Sequence, residues 1–233
     1  LPLPALSADA NVRVAVSQTE IVVDTLDDND DGVYNAGEFS LREAFNFIAD
    51  SGTIQFDPAL FTPGAMATIN LTLGELVAAR EFAIAGPGAG QLEISADQAS
   101  RVIAVTGGTL TISGITLTRG RVQDTLGGGI HVAATAGLIL DGSIVSECTV
   151  EDTNGTADDL GGGIGCEGAL QITNSTIANN TAGAFGGGIY SAGPLEILNT
   201  TISGNTAVTE DGGGIHMEDG TGELVHVTIT GNS

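Results

Sequence analysis

The chain has 233 residues, 42% of them hydrophobic, and carries 29 acidic groups against six arginines and no lysine, a formal charge of −23. That balance excludes nucleic acid and anionic membrane surfaces as partners and makes cations the natural ones. No apolar run reaches the roughly 18 to 20 residues a membrane span needs, and two cysteines allow at most one internal disulfide.

In chain order, the opening "LPLPALSADANVRVAVSQT" alternates Val12, Val14 and Val16 with Arg13, Ala15 and Ser17, the pattern of a strand able to add to a sheet edge. It begins without Met, so the expectation is a trimmed secretory signal or pro-segment and hence export. "QTEIVVDTL" reads as a strand. The next stretch, "DDNDDGVYNAGEF", has the oxygen-ligand spacing of a twelve-residue calcium loop. With Gly32 at the sixth position, Asp27, Asn29 and Asp31 fall at positions one, three and five, the Val33 carbonyl at seven, Asn35 at nine and Glu38 at twelve. A strand precedes this loop where an EF-hand has its first helix, so the alternative is a solvated Asp/Asn/Gly turn. Five matching side-chain ligands plus the glycine favour Ca2+.

"SLREAFNFIADSG" follows, with Ser40 at an N-cap, Glu43 three residues on, and Leu41, Ala44, Phe45 and Ile48 on one face. The pattern predicts a helix over 40–50 that covers the end of whatever comes next. What comes next is a repeat. "GGGI" recurs with its isoleucines at Ile130, Ile164, Ile189 and Ile215, spaced by 34, 25 and 26 residues. Between these lie "LTISGITLTRG", "LILDGSIVSEC", "LQITNSTIANN" and "LEILNTTISGN", which align Leu110, Leu138, Leu170 and Leu195, and likewise Ile112, Leu140, Ile172 and Ile197. A last copy, "LVHVTITGN", begins at Leu224. Apolar residues alternate with polar ones within each copy, the period of a half-buried strand. Periods near 25 with two or three such strands predict a β-solenoid of about seven coils stacked at ~4.8 Å. Asn180, Asn205 and Asn232 form one column and read as a stacked amide ladder at a bend. The long 34-residue spacing reflects an inserted loop, "TVEDTNGTADDL", hydrophilic enough to hang outside the stack.

Candidate chemistry on the coils is sparse. Asp124, Asp158, Asp159, Glu210 and Asp211 precede GGGI strands, with Arg119 and Arg121 nearby. Ala184 and Phe185 occupy the same columns on the coil between, which interrupts a carboxylate pair at the ~5 to 9 Å glycoside hydrolysis needs, so a solvated acidic rim is expected. His131 and His216 sit three coils apart, about 14 Å by strand spacing, too far to share a metal. Cys148 falls in the Asn column and Cys166 in that of Val132 and Met217, both expected inward, with a disulfide left open.

"SLREAFNFIADSGTIQFDP", then "LTLGELVAAREFAIAGPGA" and the GGGI coils, resembles the CSLREA-motif proteins, exported bacterial and archaeal β-helix proteins often tied to the cell surface. The likeness runs from about Ile21 onward. It implies a right-handed parallel β-helix, and with the readings above the expectation is an all-β β-solenoid with an N-terminal capping helix: residues 1–20 an extended segment, 21–52 the calcium-loop and cap region, and 53–233 the coils. It also implies a secreted or cell-surface location. Where that family usually has cysteines this chain has Tyr34 and Phe39, so an aromatic pair stands in for the disulfide that would pin the loop.

Two functions fit. One is a structural or adhesive surface rod; the final "HVTITGNS" shows no closing pattern, so Leu224, Val227 and Ile229 are expected to be covered by further coils or by a second copy stacked head to tail into filaments. The alternative is a carbohydrate-active or carbohydrate-binding β-helix acting on a surface polysaccharide, disfavoured by 4% aromatics and no Trp for sugar platforms.

Overall fold

Threonine, valine and isoleucine alternate along short segments of this chain, and each segment is too short to bury its apolar face alone. Stacking copy upon copy solves the problem, because like residues then cover like residues. The computed structural model describes residues 18–32, 37–218 and 220–233; the strand expected at Val12 to Val16 and the residues Val33, Tyr34 and Asn35 lie outside them.

Every strand pair is parallel and almost all are in straight register. An eight-stranded sheet runs from Gln18–Val23 through Ile48–Phe56, Phe82–Ala85 and Gly108–Ser113 to Gly222–Val225, giving about seven turns. A seven-stranded sheet ends at Thr228–Thr230 and a six-stranded sheet carries the GGGI isoleucines. A fourth sheet, Arg121–Gln123, Thr149–Glu151, Thr181–Ala182 and Thr206–Ala207, was not anticipated, because two- and three-residue strands show no periodicity. The coils that include Arg121–Gln123, Thr149–Glu151, Thr181–Ala182 and Thr206–Ala207 therefore have four strands rather than two or three, and the last described coil has three.

The sequence columns are the structural columns. Leu110, Leu138, Leu170 and Leu195 pair in succession and are each 2% exposed or less. Ile103, Ile130, Ile164, Ile189 and Ile215 pair in succession in the six-stranded sheet, the first four fully buried and Ile215 on the last coil half-buried. In the last copy Gly222 takes the leucine place and Leu224 pairs with Ile197. The glycines before these isoleucines mark a corner with no room for a side chain: Gly186 has φ +66°, and a Cβ on Gly187 would sit 2.4 Å from the Thr206 carbonyl carbon.

Polar ladders turn the bends. The Asn180 Nδ2 donates to Asn205 Oδ1 at 3.0 Å and to the Val145 carbonyl, and Asn205 repeats this on Asn232 at 2.9 Å and on Ile177. Upstream the column continues as Cys148, whose amide donates to Asn180 Oδ1 and whose sulfur accepts from the Gly120 amide. A second ladder, unforeseen because its members look like surface residues, is made by Ser143, Ser175 and Thr200. Each hydroxyl accepts the amide of the preceding coil and donates to the carbonyl two residues back. Both cysteines are free and buried, which closes the disulfide question; burial pushes each thiol up to about 12.

The helix spans Leu41–Phe47, with Ser40 as N-cap and a reciprocal capping box to Glu43. It stops short of residue 50 because Ile48 turns extended and starts Ile48–Phe56, which pairs with Gln18–Val23 on one side and Phe82–Ala85 on the other. Leu41, Ala44 and Phe45 are buried, and Phe45 meets Phe82 edge-on at 5.0 Å.

Candidate functional site

The loop ahead of the helix is held at both ends by groups outside the ligand pattern. The Asp24 carboxylate accepts the amides of Gly37 and Phe39 at 2.7 Å each, and the Ser40 hydroxyl donates to the Asn29 carbonyl at 2.6 Å. Asp28, at the second loop position, accepts from Arg42 Nε at 2.7 Å and from the Thr72 and Leu73 amides at 2.6 and 2.9 Å. That clamp joins the loop, the helix and the first coil, and its side chain is 1% exposed. Of the expected ligands, Asp27, Asp31 and Glu38 are exposed, Asn29 points a buried Oδ1 with no partner among the described residues, and Val33 and Asn35 are not described. Glu43 behind the loop is fully buried, with Oε1 unpartnered; burial, with Asp31 and Asp30 adding to it, raises its carboxyl above the usual range, against the Ser40 hydrogen bonds. Phe39, one half of the anticipated aromatic pair, packs beside Phe47 at 6.4 Å.

On the flank of the stack the geometry departs from expectation. Asp124, Asp152 and Asp159 bring carboxylate oxygens within 4.8 Å of one another. Asp124 ends one short strand in a left-handed conformation (φ +51°) and its amide donates to the Glu151 carbonyl of the next coil. Asp152 follows Thr149–Glu151, and Asp159 precedes Leu160, which bridges to Leu126. The inserted segment therefore does not hang wholly outside: Val150 is 1% exposed and Asp159 is completely buried. Gly183 on the following coil makes room for it, since a Cβ there would come within 2.9 Å of the Asp159 Cβ. Neither Asp159 oxygen has a hydrogen-bond partner of good geometry among the described residues, since the nearby Asp124 amide, which lowers its carboxyl slightly, donates to the Glu151 carbonyl; burial, followed by Asp152, Asp158 and Asp124, pushes that carboxyl up to about 6. Asp124, by contrast, is held below the usual range by the hydroxyl and amide of Thr153.

The remaining candidates do not converge. Arg119 pairs with Glu93 at 2.7 Å and Arg121 with Glu151 at 2.6 Å. Asp158 takes the Thr156 hydroxyl, Glu210 and Asp211 are exposed, and the buried Ala184 and half-buried Phe185 stand between. His131 faces Glu167 at 3.3 Å, while His216 stacks on the buried Tyr190 at 5.7 Å. The described surface has an open groove of about 720 Å³ lined by Glu75, Gln98, Arg101, Arg121 and Gln123, with no aromatic ring in it. No helix among the described residues is long and apolar enough to cross a membrane.

No curated protein and no solved structure matches this sequence. A family model does: the right-handed β-helix region matches residues 91–233, which takes in the flank cluster and the ladders alike. With parallel sheets in register around one core and a match over most of its length, the chain belongs to the right-handed parallel β-helix family.

Proposed function

We propose that this chain is a secreted or cell-surface rod, structural or adhesive rather than catalytic, close in kind to the CSLREA-motif proteins. The observation that carries it is the stack of parallel coils in straight register, a build that gives length and stiffness, while the catalytic candidates among the described residues do not come together. Arg119 and Arg121 are each paired with a glutamate, and Asp159, fully buried, is out of reach of any substrate. The acidic surface, with a charge of −23, suits an extracellular particle that stays dispersed in salt. Calcium in the loop of Asp27, Asn29, Asp31, Val33, Asn35 and Glu38 staples the capping helix, and the buried Asn29 Oδ1, without a partner among the described residues, supports that assignment.

Head-to-tail assembly is part of this reading. Among the described residues the eight-stranded sheet has Gln18–Val23 on its first edge and Gly222–Val225 on its last, both parallel to their neighbours. Strand addition of one copy's first edge to another's last keeps the parallel register and propagates. Immunogold labelling of intact source cells tests the reading, with label outside the envelope expected and label confined to the cytoplasm overturning it. Sedimentation over a concentration range tests assembly; a monodisperse monomer throughout, with and without calcium, removes that part alone.

The second reading, a carbohydrate-binding or carbohydrate-active β-helix, draws on the polar groove at Arg101 and Arg121. Release of reducing or unsaturated ends from acidic polysaccharides, lost in an Arg121→Ala variant, would favour it over the rod.

A further inference from the structure

The three flank aspartates present a contradiction that the protein alone does not resolve. Asp159 is fully buried, its two oxygens have no hydrogen-bond partner among the described residues, and one of them lies within 4.8 Å of a carboxylate oxygen of Asp124 and of Asp152. A buried carboxylate is ordinarily paired or hydrogen-bonded, and the arginines closest in sequence, Arg119 and Arg121, are paired with Glu93 and Glu151 instead. Asp124 and Asp152 are both partly committed to the loop: Asp124 accepts from Thr153, and one oxygen of Asp152 accepts the Asn154 and Gly155 amides. Each carboxylate retains lone pairs, and the convergent atoms are all hard oxygens, without sulfur or imidazole.

We propose that Asp124, Asp152 and Asp159 bind one calcium ion that fastens the inserted segment 152–159 to the side of the coil stack, a site separate from the cap loop. The ligands come from two successive coils, so the ion bridges across the interruption that the insertion makes in the repeat. Calcium fits better than magnesium, because a loop and two strand ends supply an irregular oxygen set, which the larger ion tolerates, with water completing the shell. Zinc is disfavoured by the donor chemistry. The alternative is a proton shared between Asp159 and Asp152, which leaves the segment indifferent to calcium.

The test is limited proteolysis of the full chain with and without calcium at physiological ionic strength, cleavage being read by mass within 152–158, alongside calorimetric titration. The expected result is that calcium slows cleavage there about tenfold or more, through the population of the opened segment. Asp159→Asn should abolish the protection and remove one equivalent of bound calcium, while Glu210→Gln, an exposed carboxylate outside the cluster, changes neither. Should Asp159→Asn fail to fold by circular dichroism, Asp152→Asn, at an exposed loop position, carries the same comparison. Magnesium alone should protect weakly. Cleavage unaffected by calcium in the natural sequence, or protection and stoichiometry retained in the folded variants, overturns the proposal.

Discussion

The coils after residue 164 and the two interrupted regions, the cap loop and the inserted segment, solve the same polar problem in opposite ways. In the coils the ladder amides find their acceptors on the next copy: the Asn180 side chain on Asn205, the Asn205 side chain on Asn232, and the Ser175 backbone amide on the Thr200 hydroxyl. Among the described residues, the buried side-chain atoms without a partner are Asn29 Oδ1, Glu43 Oε1, Arg119 Nε and both oxygens of Asp159, all at the cap, the insertion or the coil before it. Repetition is therefore what satisfies polar groups here, and where repetition fails an outside ligand has a place.

Breaking a ladder should have the largest effect. Asn205→Ala strands the Asn180 amide and the Ile177 carbonyl, two buried groups at once, and should lower unfolding free energy by about 3 kcal/mol or more in urea titrations. A loss below about 1 kcal/mol would mean that water replaces the ladder and that the contrast is false. The cap comes next: calcium at a hundredfold excess over its dissociation constant should stabilise the chain by about 2.7 kcal/mol, and the Asp31→Ala, Glu38→Ala double variant should lose this while keeping the flank-site response. Equal weak heats in both proteins would reduce the loop to a solvated turn.

Ser175→Ala removes the acceptor of a single amide, so a loss of about 1 kcal/mol is expected, a third of the asparagine effect. The smallest change is one of reactivity. Cys148 and Cys166, with thiols held near 12 by burial, should resist a disulfide reagent at about pH 8 in the native state and both react once unfolded. Fast native reaction at Cys148 would show the head of the asparagine column to be loose.

What was legible in the sequence follows the same division. The columns Leu110 to Leu195 and the GGGI corners were readable because each residue recurs at one period in one environment. The Ser143, Ser175 and Thr200 ladder escaped notice because a hydroxyl between a polar and a β-branched residue looks the same on a surface. Asp28 and Asp24 are not calcium-loop ligands by position, yet they fix that loop, through amides 44 and 45 residues away in one case and 13 and 15 in the other. Asp152 was hidden for another reason: its approach to Asp124 and Asp159 depends on the path of an insertion, for which no repeat supplies a template. The missed fourth sheet has the same origin, two-residue strands that exist only because a neighbour already does.

The parallel ladders also set how the rod bears load. Their hydrogen bonds lie along the tube axis, so tension between the first and last coils pulls each bond straight apart, one coil at a time, and never loads a whole sheet in shear. Stretched by its ends, the molecule should yield in a sawtooth whose steps release about 25 residues each, roughly 85 Å of contour per coil. A calcium bridge between two coils at the insertion would appear as one taller tooth in that series.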